Sequence, residues 1–182
     1  DADFELAVEE SVRSAFTNQG EICLCGSRIL IQESIYEQFR EAFVAKTKAL
    51  TTGDPFCESS DLGALVSASH RDKVLSYIDK AKQLGGRILC GGEIPLLKES
   101  VANGYFILPT VIDGLTQDCD VIQQEIFGPV VTLQPFSSES EALTMANDIP
   151  YGLSATIWTK DSTRTHRFAA GLKAGIIWVN TW

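Results

Sequence analysis

The chain contains 182 residues, 45% of them hydrophobic, which is enough to bury one substantial core and predicts a single domain. Fifteen Lys and Arg against 24 Asp and Glu give a net charge of -9 without a basic stripe, so neither nucleic acid nor an anionic membrane is an expected partner. No apolar run reaches the roughly 20 residues of a membrane span, and residues 1–3 lack the features of a signal peptide. We therefore expect a cytoplasmic protein.

The chain opens in a predicted helix and continues into a loop that carries a thiol. Apolar residues recur at helical spacing before the loop: Phe4, Ala7, Val8, Val12, Ala15 and Phe16. Asp3 is the expected N-cap of this helix, and residues 29–31 predict a strand. Cys23 therefore lies in a helix-to-strand loop, the thiol loop (residues 18–28). Gly20 and Gly26 are its flexible points.

Strands and helices alternate along the rest of the chain. A capping box at residues 34–37 predicts a helix to about Leu50, and Ser67 or Ser69 is expected to cap a second helix. Further strands are predicted at 87–90, 105–112, 130–133, 154–158 and 176–179, and further helices at 138–147 and 162–171. Pro109 places its strand at an edge or bulge. The alternation predicts an α/β fold, a three-layer αβα arrangement with a mostly parallel sheet.

The cysteines and histidines do not predict a metal site. Five cysteines without disulfide-scaffold spacing are expected to be thiols: Cys23, Cys25, Cys57, Cys90 and Cys119. His70 and His166 have no second ligand at metal spacing. Both lie in helical patterns and are expected to face solvent.

Taken by pattern alone, the thiol loop has two interpretations. A thiol is strongly nucleophilic and can leave again, so Cys23 on a glycine-flanked loop suits covalent catalysis. An isolated cysteine is, however, more often a small buried hydrophobe. Glu125 likewise could be a solvated loop charge.

Two segments of the chain resemble the aldehyde dehydrogenase superfamily. Residues 16–28 are similar to the active-site cysteine segment of that family, and residues 125–130, Glu-Ile-Phe-Gly-Pro-Val, are similar to its second well-known motif. The resemblance extends along nearly the whole chain, including residues 151–155 and 175–180. The variant Asn-Gln-Gly-Glu-x-Cys-Leu-Cys is most similar to semialdehyde dehydrogenases that act on 2-aminomuconate or 2-hydroxymuconate semialdehyde.

The resemblance implies NAD(P)-dependent oxidation of an aldehyde, with a semialdehyde expected, to a carboxylic acid through a cysteine thiohemiacetal and a thioester. Cys23 lies five residues before Arg28, as the family nucleophile does, and is the predicted catalytic residue. Cys25 falls at a variable position and is expected to be a bystander. Glu125 and Phe127 are the predicted cofactor-binding residues, with the carboxylate on the hydroxyls of the nicotinamide ribose. NAD is the expected cofactor, and NADP stays open.

Further predictions concern Glu21, Asn180 and the aromatic residues near both ends of the chain. Glu21 replaces the Gln most common in the family, two residues before Cys23, and an inward charge there would raise the thiol pKa. We therefore expect Glu21 to point away or to be paired. Asn180 either helps to hold the cysteine loop, as the resemblance implies, or makes a strand-end hydrogen bond. Phe16 and residues 178–182 line a substrate tunnel or belong to the core.

The resemblance also implies a domain organisation. Residues 1–182 are expected to be a catalytic domain truncated at both ends, with the general-base glutamate and the dinucleotide-binding domain absent. This fragment alone is then expected to be inactive, and the intact enzyme to be a homo-oligomer acting on a small aldehyde. Two alternatives stay open: a CoA-acylating relative, in which the thioester passes to CoA, and a non-catalytic binding or assembly domain.

Overall fold

Helices and strands alternate over the whole chain, and a computed structural model describes all 182 residues. The helices are α1 (Phe4–Phe16), α2 (Tyr36–Lys48), α3 (Ala68–Gln83), α4 (Asp120–Gln123), α5 (Glu139–Asn147) and α6 (Ser162–Gly171). The strands are β1 (Arg28–Gln32), β2 (Arg87–Cys90), β3 (Thr110–Asp113), β4 (Val130–Phe136), β5 (Ser154–Ile157) and β6 (Ile176–Val179). No helix is both long enough and apolar enough to cross a membrane.

The strands form two sheets. The larger one has the order β1-β4-β3-β2, in which β4 runs parallel to both β1 and β3, and β2 runs antiparallel to β3. The smaller sheet is the parallel pair of β5 and β6. The predicted α/β class with a mostly parallel sheet is therefore confirmed.

Different helices cover the two faces of the central strands. On β3, Val111 packs with residues of α1 and α2, whereas Ile112 packs with residues of α3. On β4, Val131 likewise packs with the cluster formed by α1 and α2, and Val130 packs with the cluster that includes α3. Because side chains alternate across a strand, successive apolar residues here mean burial on both faces. The three-layer arrangement predicted from the alternation is present.

Local capping signals account for several helix starts. The Asp3 carboxylate accepts the Leu6 backbone N–H at 3.3 Å at the start of α1. Ser67 and Ser138 cap α3 and α5 in the same way, each accepting an N–H three residues ahead at 3.2 Å. A short polar side chain at the N-cap satisfies one of the orphan donors of the first turn, and this requirement is readable from sequence.

Tertiary contacts override the sequence pattern in other places. The capping box predicted at residues 34–37 is wrong, because a 3-10 turn occupies Glu33–Ile35 and α2 begins at Tyr36 without a side-chain cap. The Tyr36 hydroxyl donates to the buried carboxylate of Asp113 at 3.2 Å, which fixes the start of the helix from outside. Two guanidinium N–H groups of Arg87 also donate to Asp113, at 2.8 and 2.7 Å. Burial, with the neighbouring carboxylate, raises the pKa of Tyr36.

The strand predicted at 105–112 is shorter than expected and lies elsewhere in the sheet. Only residues 110–113 pair, and β3 lies between β4 and β2 instead of at an edge. Pro109 comes just before the ladder, so its missing N–H removes no hydrogen bond from the sheet. The irregularity lies on the neighbouring strand β2, between Ile88 and Cys90.

Candidate active site

The thiol loop and the Glu125 motif precede two neighbouring parallel strands. The loop that carries Cys23 leads into β1, and residues 125–129 lead into β4. Arg28 is the register partner of Thr132, and the Thr132 N–H donates to the Ser27 carbonyl at 3.0 Å. Because the amino ends of parallel neighbours meet at one edge of a sheet, the two motifs lie together although about a hundred residues of chain separate them.

A tight reversal after α1 brings Cys23 to the surface. Asn18, Gln19 and Gly20 all have left-handed backbone angles, with φ of 50, 57 and 71°. Cys23 follows this reversal, and its side chain is exposed. Its backbone N–H donates to no group of the chain and is therefore available to a ligand.

Side chains from distant parts of the chain hold the thiol loop. The Gln19 side chain accepts the Gly63 N–H at 3.1 Å. The Trp182 indole N–H donates to the Leu24 carbonyl at 2.9 Å. Arg28 donates to the last carbonyls of α5, Met145 and Ala146, at 3.1 and 3.0 Å. These contacts keep the loop in one conformation, as a site for chemistry requires.

The two neighbouring thiols have different environments. Cys25 is half-buried, and its Sγ lies 3.7 Å from the Thr17 carbonyl oxygen. Burial raises the pKa of the Cys25 thiol, and the nearby Cys23 adds to this shift. Because the thiolate is the nucleophile, this environment lowers the reactivity of Cys25.

The second motif presents a carboxylate that the chain itself does not use. The Glu125 backbone N–H lies 3.4 Å from the Tyr151 hydroxyl, and its carbonyl accepts the Lys73 ammonium at 3.2 Å. The Glu125 side chain is exposed, and Phe127 next to it has a left-handed φ of 62°. A free carboxylate with two acceptor oxygens suits a vicinal diol.

The thiol loop touches the second motif through its backbone. A Cβ placed on Gly20 would lie 2.2 Å from the Gly128 carbonyl oxygen and 2.6 Å from its carbon. This approach is too close for any residue except glycine, and the φ of 71° also favours glycine. The sequence predicted an unusual backbone conformation at Gly20, and the structure adds that its close neighbour is the second motif.

Glu21 is paired, which is one of the two arrangements expected for it. Its carboxylate accepts the Val66 N–H at 3.2 Å and lies 3.5 Å from Nε2 of His70. These partners at the start of α3 fix the position of the Glu21 carboxylate, two residues before Cys23.

The expectation that His70 faces solvent is wrong. Only 15% of its side chain is exposed, and Nε2 lies 2.5 Å from the Phe127 carbonyl oxygen. His70 thus contacts both motifs. Its helical pattern could not reveal this, because the contacts come from residues 49 and 57 positions away.

The remaining predicted residues divide between site and core. Asn180 exchanges two hydrogen bonds of 2.9 Å with the backbone of Thr159, so the strand-end interpretation holds, and it makes no hydrogen bond to the thiol loop. Phe16 is buried in the core beside Phe43. Trp182 contacts the thiol loop, a role that no local signal indicated.

An open groove of about 1220 Å³ is lined by both the thiol loop and the Glu125 motif. Its lining includes Cys23, Glu125, Phe127, Tyr151, Trp158 and Trp182. The structure therefore brings all three predicted site residues to one surface. It holds no group of three or more His, Cys, Asp or Glu side chains placed to bind a metal ion.

Comparisons with known proteins point to one enzyme family. The sequence profile of the aldehyde dehydrogenase family matches residues 1–182. The chain is 47% identical to the mouse 2-aminomuconic semialdehyde dehydrogenase, covering 100% of this chain and 38% of the mouse protein. It is 41% identical to the 2-hydroxymuconic semialdehyde dehydrogenase of Pseudomonas sp. (strain CF600), covering 100% of this chain and 37% of that protein.

The fold matches a solved structure closely. Betaine aldehyde dehydrogenase from Staphylococcus aureus in complex with NAD+ superposes with a TM-score of 0.96 at 39% identity, covering 100% of this chain and 36% of that one. The chain thus spans less than two fifths of the length of the relatives it matches. With a family match over its full length and these identities, the chain belongs to the aldehyde dehydrogenase family.

Proposed function

We propose that this chain carries the nucleophile and part of the nicotinamide site of an NAD-dependent aldehyde dehydrogenase, with Cys23 as the nucleophile. One observation carries the proposal: the backbone contact between Gly20 and Gly128 joins the thiol loop to the Glu125 motif on one groove. A binding or assembly domain has no need of an exposed thiol beside an unpaired carboxylate.

The residues of the chain suit the first chemical step. The Cys23 thiolate adds to the aldehyde carbonyl carbon, forming a carbon–sulfur bond, and the carbonyl oxygen becomes an oxyanion. The free backbone N–H of Cys23 is one donor for that oxyanion. Collapse of the oxyanion expels hydride and leaves a thioester on Cys23, which water then hydrolyses to the acid.

The groove also offers groups that suit a nicotinamide riboside. The Glu125 carboxylate is free to accept both ribose hydroxyls, and Phe127 lies beside it on the same surface. When bound, NAD supplies the hydride acceptor. The NAD+ in the Staphylococcus aureus neighbour supports NAD as the cofactor, and NADP stays open.

The substrate class and organisation of the whole enzyme belong to the same proposal. The two semialdehyde dehydrogenases among the relatives support a small semialdehyde as substrate. Residues 1–182 act as the catalytic domain of a homo-oligomer, with the general base and the dinucleotide-binding domain supplied by other residues. The 182-residue chain alone is then inactive.

The test uses the full-length protein, NAD and 2-aminomuconate or 2-hydroxymuconate semialdehyde. We expect NADH to form together with the carboxylic acid, and Cys23→Ser to abolish both. An acyl-CoA product that forms only when CoA is added would assign the protein to the CoA-acylating relatives. Absence of NADH with every semialdehyde and simple aldehyde tried would contradict the proposal.

A further inference from the structure

His70 lies between the two motifs of the proposed site. It is in the first turn of α3, immediately after the Ser67 cap. Its Nε2 faces the Phe127 carbonyl oxygen at 2.5 Å and the Glu21 carboxylate at 3.5 Å. Because both neighbours are acceptors, we assign the proton to Nε2, which donates to the Phe127 carbonyl and has the Glu21 carboxylate close beside it.

On one side, α3 holds the turn that carries Glu125. Lys73, three residues after His70 and therefore on the same face of the helix, donates to the Glu125 carbonyl at 3.2 Å. His70 donates to the Phe127 carbonyl two residues further on, where the backbone has the left-handed φ of 62°. Such a conformation in a non-glycine residue costs about 1 kcal/mol or more and persists only when its surroundings hold it.

On the other side, the start of α3 holds the thiol loop. Glu21 accepts the Val66 N–H just before the cap, and it lies against His70. A carboxylate near a helix N-terminus is also favoured by the helix dipole. Glu21 is two residues from Cys23, so its position limits where the thiol can lie.

We propose that His70 is a positioning residue, which fixes the Cys23 loop relative to the Glu125–Phe127 turn through its contacts with Glu21 and the Phe127 carbonyl. The proposal rests on the proposed function for its catalytic consequence. Hydride transfer needs the carbon on the thiol and the nicotinamide at a set distance, and a misplacement of about 1 Å can lower its rate about 100-fold. His70 touches neither reacting group and acts through the geometry of both motifs.

The test compares three variants of the full-length protein. His70→Leu removes the donor. His70→Gln retains it, because the Gln amide nitrogen reaches the place of Nε2 and donates to the Phe127 carbonyl. His166→Leu is the matched control, since His166 is an exposed histidine on α6.

Single-turnover NADH formation is the first readout. We expect His70→Leu to slow hydride transfer about 10- to 100-fold with the Kd for NAD changed less than about threefold. His70→Gln and His166→Leu should stay within about threefold of the parent. An equal loss in the Leu and Gln variants, or no loss in the Leu variant, would overturn the proposal.

Alkylation of Cys23 by iodoacetamide, followed by peptide mass spectrometry, is independent of aldehyde oxidation. His70→Leu should change the Cys23 rate at least threefold relative to exposed Cys57 in the same sample, whereas His70→Gln should not. Should the parent protein form no NADH, the proposed function fails and this readout alone decides the role of His70. A constant ratio of Cys23 to Cys57 alkylation across the variants would then refute it.

Discussion

Replacing Gly20 with alanine should separate the two motifs of the site. The added Cβ would lie 2.2 Å from the Gly128 carbonyl oxygen, whereas ordinary contacts of this kind begin at 3.4 Å. The thiol loop and the Gly128 backbone must therefore move apart by about 1 Å, a displacement that can lower a reaction rate about 100-fold. The positive φ adds about 1 to 2 kcal/mol of backbone strain.

Gly85→Ala is the matched control for that strain. Gly85 has a φ of +84°, and a Cβ there would meet nothing within 4 Å. The Gly85→Ala substitution should therefore lower the free energy of unfolding by about 1 to 2 kcal/mol and the Tm by about 2 to 8 °C. Hydride transfer should be unchanged.

The assay is single-turnover NADH formation in the full-length protein, measured with the Tm of each variant. Gly20→Ala should lose about 100-fold in hydride transfer and at least as much stability as Gly85→Ala. A Gly20→Ala protein with the parent rate would refute the inference that the Gly20–Gly128 contact sets the geometry of the site.

Other substitutions test the roles of single residues in the proposed site and in the fold. Cys23→Ser should abolish aldehyde oxidation, while Cys25→Ser should retain most of it; the reverse result would move the nucleophile to Cys25. Because burial raises the pKa of the Cys25 thiol, its alkylation by iodoacetamide should increase at higher pH than that of a fully exposed cysteine, which residue-specific mass spectrometry can measure. Glu125→Gln should slow single-turnover hydride transfer more than it weakens NAD binding, and an unchanged rate would return Glu125 to the role of a solvated loop charge. Tyr36→Phe removes one hydrogen bond to buried Asp113 and should lower the free energy of unfolding by about 1 kcal/mol in a denaturant titration; an unchanged midpoint would show that this bond does not stabilise the fold.

Features that depend on neighbouring residues in the chain were predictable from sequence. The caps at Asp3, Ser67 and Ser138 each need one polar side chain and an N–H three residues ahead. The alternation of helices and strands likewise predicted parallel pairing. The cost of a charge near a thiol predicted that Glu21 would point away or be paired, but it could not say which, nor name the partners.

Features that depend on distant residues were not predictable in this way. The start of α2 is fixed by a contact between Tyr36 and Asp113, which lie 77 positions apart. The burial of His70 depends on Phe127, 57 positions away, and the anchoring of the thiol loop on Trp182, 158 positions from Leu24. A helical pattern around His70 says which face it occupies and nothing about what packs there.

Trapping the acyl intermediate shows directly which thiol is the nucleophile. Cleavage after Arg13 and Arg28 gives one peptide, residues 14–28, that contains both Cys23 and Cys25. The full-length protein is mixed with NAD and a semialdehyde, quenched during the first turnover, and this peptide is fragmented in a mass spectrometer. We expect an acyl group on Cys23, in an amount equal to the NADH formed in the burst. An acyl group on Cys25, or a burst of NADH with neither thiol modified, would show that Cys23 is not the nucleophile.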